Sequence, residues 1–143
     1  MIQRIQTVWL LLAAVIAAVL GIIMWQAIFP QLGQTGYESQ GGSRGTPLLF
    51  TIGEGLIWLI FLISVFAISL FKHRKRQMTW TKTGIWLSLF YCVWFYTIRT
   101  QLGWTMLNKN LFFAASAIVV LLFLALRCIH KDEEKVRNAD RIR

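Results

Sequence analysis

The chain has 143 residues, 57% of them hydrophobic and only 15% charged, with 15 Lys and Arg against 6 Asp and Glu. An average soluble domain carries about a quarter charged residues, and a soluble chain this small keeps too much surface to hide so much apolar area. The same hydrophobicity excludes intrinsic disorder, which leaves a small integral membrane protein.

A helix needs about 20 mostly apolar residues to cross a hydrocarbon core of roughly 30 Å. The first such segment runs from about residue 8 to 29 without a charge, and Pro30 is expected to stop it. Arg4 gives it the basic start of a secretory leader. The apolar stretch is longer than a leader's, however, and no small-x-small cleavage site follows, so it reads as a signal anchor. Residues 30–47, with Gly33, Gly36, Gly41, Gly42 and Gly45, read as a flexible external loop.

The second segment covers 48–71, with Thr46 as N-cap and Pro47 as the first helical residue. Residues 72–81 read as a cytoplasmic loop. The third segment, about 82–100, has the shortest apolar stretch of the four, from Gly84 to Ile98. The fourth covers about 109–129, with Asn110 as its expected N-cap. Residues 130–143 are expected to continue as a charged cytoplasmic helix, where Glu133 pairs with Arg137 and Asp140 with Arg143, each worth a few tenths of a kcal/mol. Ile129, Val136, Ala139 and Ile142 give that tail a thin apolar stripe. The expected fold is all-α: one domain of four transmembrane helices in an antiparallel bundle, with a cytoplasmic helical extension.

Cationic residues resist translocation, so short loops rich in Lys and Arg stay in the cytoplasm. Arg4, Lys72, Arg74, Lys75, Arg76, Lys82, Arg127, Lys131, Lys135, Arg137, Arg141 and Arg143 fall on one side; Arg44, Arg99 and Lys109 fall on the other. The imbalance places both termini in the cytoplasm. Sorting by side accounts for the net charge of +9, and no nucleic-acid partner is needed to explain it. Trp9, Trp80 and Trp86 fit the inner aromatic belt and Trp25 and Trp104 the outer one. Trp58 and Trp94 lie deeper, either as packing or as a platform for a lipid-soluble cofactor.

Membrane helices associate through close contact at small residues. Ala13, Ala17 and Gly21 recur at spacing four, with Ala14 and Ala18 beside them, and Ala114, Ala115, Ser116 and Ala117 form a second patch. These are contact faces, either within the bundle or toward a partner.

Glu54 is the one carboxylate inside a span. Such a group costs about 2.5–3.5 kcal/mol at the bilayer centre on insertion scales. The second helix enters from outside, which puts Glu54 about 10 Å below the outer surface. Arg99, near the outer end of the third segment, is its expected partner. The pair reads as a structural clasp, or Glu54 as an unpaired buried carboxyl; the sharper alternative is a proton or ion site.

His73 and His130 fall in the cytoplasmic flanks and cannot grip a haem within the bilayer. Cys92 and Cys128 differ in expected depth by roughly 10 Å, too far for a disulfide. There is no CxxC, HExxH, GxSxG or phosphate loop. No catalytic, metal or cofactor-binding residue is expected, and the chain reads as a non-enzyme.

The opening Met1-Ile2-Gln3-Arg4-Ile5-Gln6-Thr7-Val8-Trp9-Leu10-Leu11-Leu12-Ala13 and the closing Lys131-Asp132-Glu133-Glu134-Lys135-Val136-Arg137-Asn138-Ala139-Asp140-Arg141-Ile142-Arg143 resemble the two ends of a family of small Bacteroidota membrane proteins, domain-of-unknown-function family 4293. The resemblance implies a four-helix chain of the bacterial inner membrane and brings no activity with it. It also puts both end motifs on the cytoplasmic side. There Gln3, Gln6 and Arg4 could meet the acidic run from Asp132 to Glu134.

Three functions follow as expectations. The first is an accessory or scaffolding subunit, with the lipid bilayer and other membrane-protein subunits as partners and a contact surface on the tail at Asp132, Glu133, Val136, Arg137, Asp140, Arg141 and Arg143. The others are a small transporter or channel built on Glu54, and a sensor signalling through its tail.

Overall fold

The computed structural model describes residues 2–32, 46–70, 73–102 and 106–140, and the side chains of residues 5–26, 51–70, 73–97 and 110–137. The described chain forms four helices: α1 (Ile2–Leu32), α2 (Thr46–Ser69), α3 (Arg74–Leu102) and α4 (Met106–Asp140). Among the described residues there is no strand. α1 packs against α2 and α4, and α3 packs against the same two helices, so each element has two neighbours. As α3 advances from Gly84 to Trp94, the α2 residues beside it retreat from Ile63 to Gly53. α4 retreats likewise: Leu122 lies beside Gly84, and Phe112 stacks on Phe95.

Among the described residues, three stretches are long and apolar enough to cross a membrane: Ile5–Gln26, Thr51–Ser69 and Asn110–Arg137. α3 is a full-length helix of 29 residues but falls short in apolarity among its described residues. Lys82, flanking threonines and Ser88 interrupt its apolar positions, and several of its rings are the amphipathic ones of Trp and Tyr.

The helix ends differ from the sequence reading in three places. α1 does not stop at Pro30 but runs to Leu32; so near a helix end proline removes only one backbone bond, with few turns left to disrupt. α3 starts at Arg74, so most of the stretch read as a loop at 72–81 is helical. Its polar residues fit the exposed first turns of a helix that packs only one face. α4 starts at Met106, which puts Asn110 inside the helix rather than at its cap. α2 begins at Thr46, as its Thr-Pro start indicates.

All four helices bury residues at alternating spacings of four and three. The buried seams are Gln6, Leu10, Ala13, Ala17, Leu20 and Met24 in α1; Gly53, Ile57, Ile60, Ser64 and Ala67 in α2; Gln77, Thr81, Gly84, Ser88, Tyr91 and Phe95 in α3; and Leu111, Ala115, Ile118, Leu122, Ala125, Ile129 and Asp132 in α4. A mean spacing of 3.5 residues keeps a seam facing its neighbours when helices cross at a shallow left-handed angle.

The seam of α3 is polar and small through its first half. Its hydroxyls cost little there because Thr81 Oγ1 donates to the Gln77 carbonyl at 2.8 Å and Ser88 Oγ to the Ile85 carbonyl at 2.9 Å, so each is satisfied within its own helix. Gly84 lets Ile63 and Leu122 approach: a Cβ there would stand 3.3 Å and 3.5 Å from their methyl carbons.

The outward faces reverse the soluble pattern. Val8, Leu11, Val15, Val19 and Ile22 of α1, Leu59 and Leu62 of α2, Phe90 and Val93 of α3 and Phe113, Val120 and Phe123 of α4 are all exposed. Large apolar side chains on the outer faces as well as in the core, with alanine and glycine at some of the inner contacts, suit a chain whose solvent is hydrocarbon, where helices gain by close packing rather than by expelling water. The Ala13–Ala17–Gly21 face and Ala115 are spent on this internal packing.

Candidate functional site

Two polar clusters lie among these apolar helices, at opposite ends of α1. The first joins α1 to α4. Gln6 is buried, and its Nε2 donates to the Asp132 carboxylate at Oδ2 and, at 3.4 Å, to the Cys128 carbonyl. Both amide hydrogens are thereby used, and a buried carboxylate has a donor. The meeting of the two end motifs expected from the sequence is thus made by Gln6 and Asp132. The side chains of Gln3 and Arg4 lie outside the described residues. Asp132 is only 7% exposed, so its carboxylate faces α1 instead of the outer face of the tail.

The second cluster centres on Glu54 in α2, 5% exposed. One helical turn on, Trp58 donates its indole N–H to Glu54 Oε1 at 2.6 Å. The indole is seated over Gly21 of α1, where a Cβ would come within 3.1 Å of Trp58 Cε2, and Phe61 meets it edge-on at 5.8 Å. Gly21 is therefore required to be small by the ring that holds the carboxyl. From α3, Trp94 brings its Nε1 to the backbone of Gly53, where a Cβ would stand 3.4 Å away.

Among the described residues, Glu54 Oε2 and Trp94 Nε1 are buried without hydrogen-bond partners. One is an acceptor and the other a donor, and each such orphan costs on the order of 1–3 kcal/mol. The cluster, as far as it is described, leaves one carboxylate oxygen and one indole N–H unmet.

Arg99, the partner expected for Glu54, has its side chain outside the described residues. Trp58 and Trp94 are the cluster members that the sequence reading did not assign to Glu54. Their signal was a Glu-x-x-x-Trp spacing on one face of α2 and a tryptophan near the same level of α3.

Of the tail residues, Glu133 is half-buried and Val136 and Arg137 are exposed. Asp140 belongs to α4, though its side chain, with Arg141 and Arg143, lies outside the described residues. Among the described residues Glu133 and Arg137 form no ion pair; exposed pairs of this kind gain too little to fix two long side chains. Cys92 and Cys128 are free thiols, and His73 and His130 are exposed.

No curated protein and no solved structure matches the sequence. One family model does match, over residues 2–142, and its description is domain of unknown function (DUF4293). With nearly the whole chain covered, this protein belongs to the DUF4293 family.

Proposed function

We propose that the chain is a non-enzymatic, multi-pass protein of the bacterial inner membrane, of Bacteroidota type, that works as an accessory or scaffolding subunit through the outer face of its α4 extension. In this reading all four helices cross as an antiparallel bundle, α3 included, with both termini in the cytoplasm. The opposed course of α2 and α3, and of α3 and α4, supports the bundle, and the distribution of Lys and Arg supports the orientation.

The observation that carries the reading is the clamped tail. α4 has 35 residues, about 52 Å at 1.5 Å per residue, against a hydrocarbon core of roughly 30 Å. Its excess length leaves the bilayer as a helix, and the Gln6–Asp132 contact ties the base of that helix to α1. Beyond the tie, Glu134, Lys135, Val136 and Arg137 are exposed. A rigid, charged arm with its base locked suits contact with another subunit. The Ala13–Ala17–Gly21 face is already used inside the chain, while Ala114, Ser116 and Ala117 are only half-buried.

The test is purification of the tagged chain from native membranes beside a variant lacking residues 134–143. A stoichiometric partner that is lost with the truncation supports the reading; a full-length chain that emerges alone sinks it. A second reading rests on the orphaned Glu54 Oε2: a small transporter or channel site. It predicts ion or solute flux in liposomes that Glu54→Gln abolishes, and flux unchanged by that substitution excludes it.

A further inference from the structure

Where α3 begins beside the tail of α4, the surface folds inward into a cleft of about 420 Å3 lined by His73, Arg74, Lys75, Arg76, Glu133 and Val136. We propose that this cleft binds the phosphate of an anionic phospholipid headgroup.

Three observations converge on that occupant. The first is charge. Arg74, Lys75 and Arg76 face a single lining carboxylate, Glu133, and none of the three is held in an ion pair among the described residues. Arginine and lysine together offer a planar fork and point charges, the donors that phosphate oxygens accept from.

The second is the backbone. The Gln77 N–H donates to the His73 carbonyl at 3.0 Å, which opens the helix. The amides of Arg74, Lys75 and Arg76 therefore precede the first helical bond and have no acceptor within α3. His73 at the cap has no short side-chain oxygen to receive them. They add donors to the same wall that carries the three cationic side chains.

The third observation separates a lipid from a free anion. Trp80 lies four residues beyond Arg76, on the same face of α3, and is 40% exposed. Phe66 of α2 meets it edge-on at 5.0 Å, and Val136 on the opposite wall is exposed as well. The cationic cleft thus has an apolar wall of its own at Val136, and the Trp80–Phe66 pair forms an aromatic surface on the α2 side of α3, next to the lining and not part of it. An occupant with an anionic head and acyl chains matches both parts, and inorganic phosphate matches only one. Basic clefts at the ends of membrane helices have the chemistry that selects such headgroups.

Removing one of these cations also weakens the charge signal that orients the chain, so the decisive variants add or conserve positive charge. The measurement is native mass spectrometry of the full chain titrated with phosphatidylglycerol, with phosphatidylcholine and inorganic phosphate as separate probes. Phosphatidylglycerol is expected to bind in preference to phosphatidylcholine. Glu133→Gln, which removes the carboxylate from the cleft wall, should tighten it by roughly fivefold, the weight of one charge near a membrane surface. Glu134→Gln changes net charge equally but lies outside the cleft lining, and should leave binding as it was.

The pair Arg74→Lys with Arg76→Lys keeps every charge, loses both forks, and should weaken binding several-fold. Equal binding of the two lipids overturns the proposal. So does an equal gain from Glu133→Gln and Glu134→Gln, which would mean diffuse attraction to the tail. Inorganic phosphate that binds alone, displaces phosphatidylglycerol and responds to Glu133→Gln would assign the cleft to a soluble anion and overturn the lipid.

Discussion

The two polar clusters pose the same physical problem and end differently. At one end Gln6 spends both amide hydrogens on Asp132 and the Cys128 carbonyl, joining first helix to last. At the other, Trp58 satisfies one oxygen of Glu54 while the second oxygen and the Trp94 N–H have no partner among the described residues. A closed cluster in an apolar setting holds elements together, since every group in it gains from the fold. An open one costs the fold stability, and a cost of that kind is usually kept at positions with something to bind.

Breaking the closed cluster should have the largest effect. Asp132→Ala leaves the Gln6 amide buried with only a long bond to a carbonyl, and should lower stability by about 2–3 kcal/mol, the range for a hydrogen bond to a charged group with its partner stranded. Thermal unfolding in mild detergent measures it, and Asp132→Asn should recover part of the loss. An unchanged midpoint for Asp132→Ala would erase the distinction between the clusters.

Next in size is Gly21→Leu, which drives a side chain into the Trp58 ring and should cost about 1–3 kcal/mol by overpacking. Its signature is a change in tryptophan emission that Gly21→Leu in a Trp58→Phe background does not show. Trp58→Phe alone removes the donor to Glu54 and should cost about 1–2 kcal/mol. Glu54→Gln keeps the shape and still offers an oxygen to Trp58, so its cost should stay below about 1 kcal/mol. If Glu54→Gln proves as damaging as Asp132→Ala, Glu54 is structural and the open cluster is not open.

The glycines give the smallest contrast. Gly84→Ala brings a Cβ to 3.3 Å from Ile63, so the shift it demands of that side chain should offset the gain in helix propensity. Gly55→Ala meets nothing within 4 Å and should stabilise by up to about 1 kcal/mol through helix propensity.

Much of this was legible along the chain. Long apolar runs with few or no charges gave α1, α2 and α4, and Thr46-Pro47 marked the start of α2. The two end motifs offered Gln3, Gln6 and Arg4 as groups that could meet the acidic run from Asp132 to Glu134, and of these Gln6 meets Asp132. α3 was read too short because its first two turns are polar, and hydropathy registers a helix only where the helix is apolar. Its true face was written in a different alphabet, with Gln77, Thr81, Gly84 and Ser88 at spacings of four, three and four. Glu54 stood out as a lone intramembrane carboxylate. Its partner was sought in Arg99, whose side chain lies outside the described residues, while the Trp58 indole N–H one turn away satisfies one of its two oxygens.

Composition and segment length were enough to determine that this is a membrane chain of long helices, because hydrocarbon thickness and backbone hydrogen bonding admit few alternatives. The tertiary structure alone decided which face of each helix turns inward, why Gly21 must be small, and which oxygen of Glu54 is left over. In water, hydrophobicity labels the inner face. In lipid both faces are apolar, so shape and a few polar contacts make the choice, and these exist only once the helices have met.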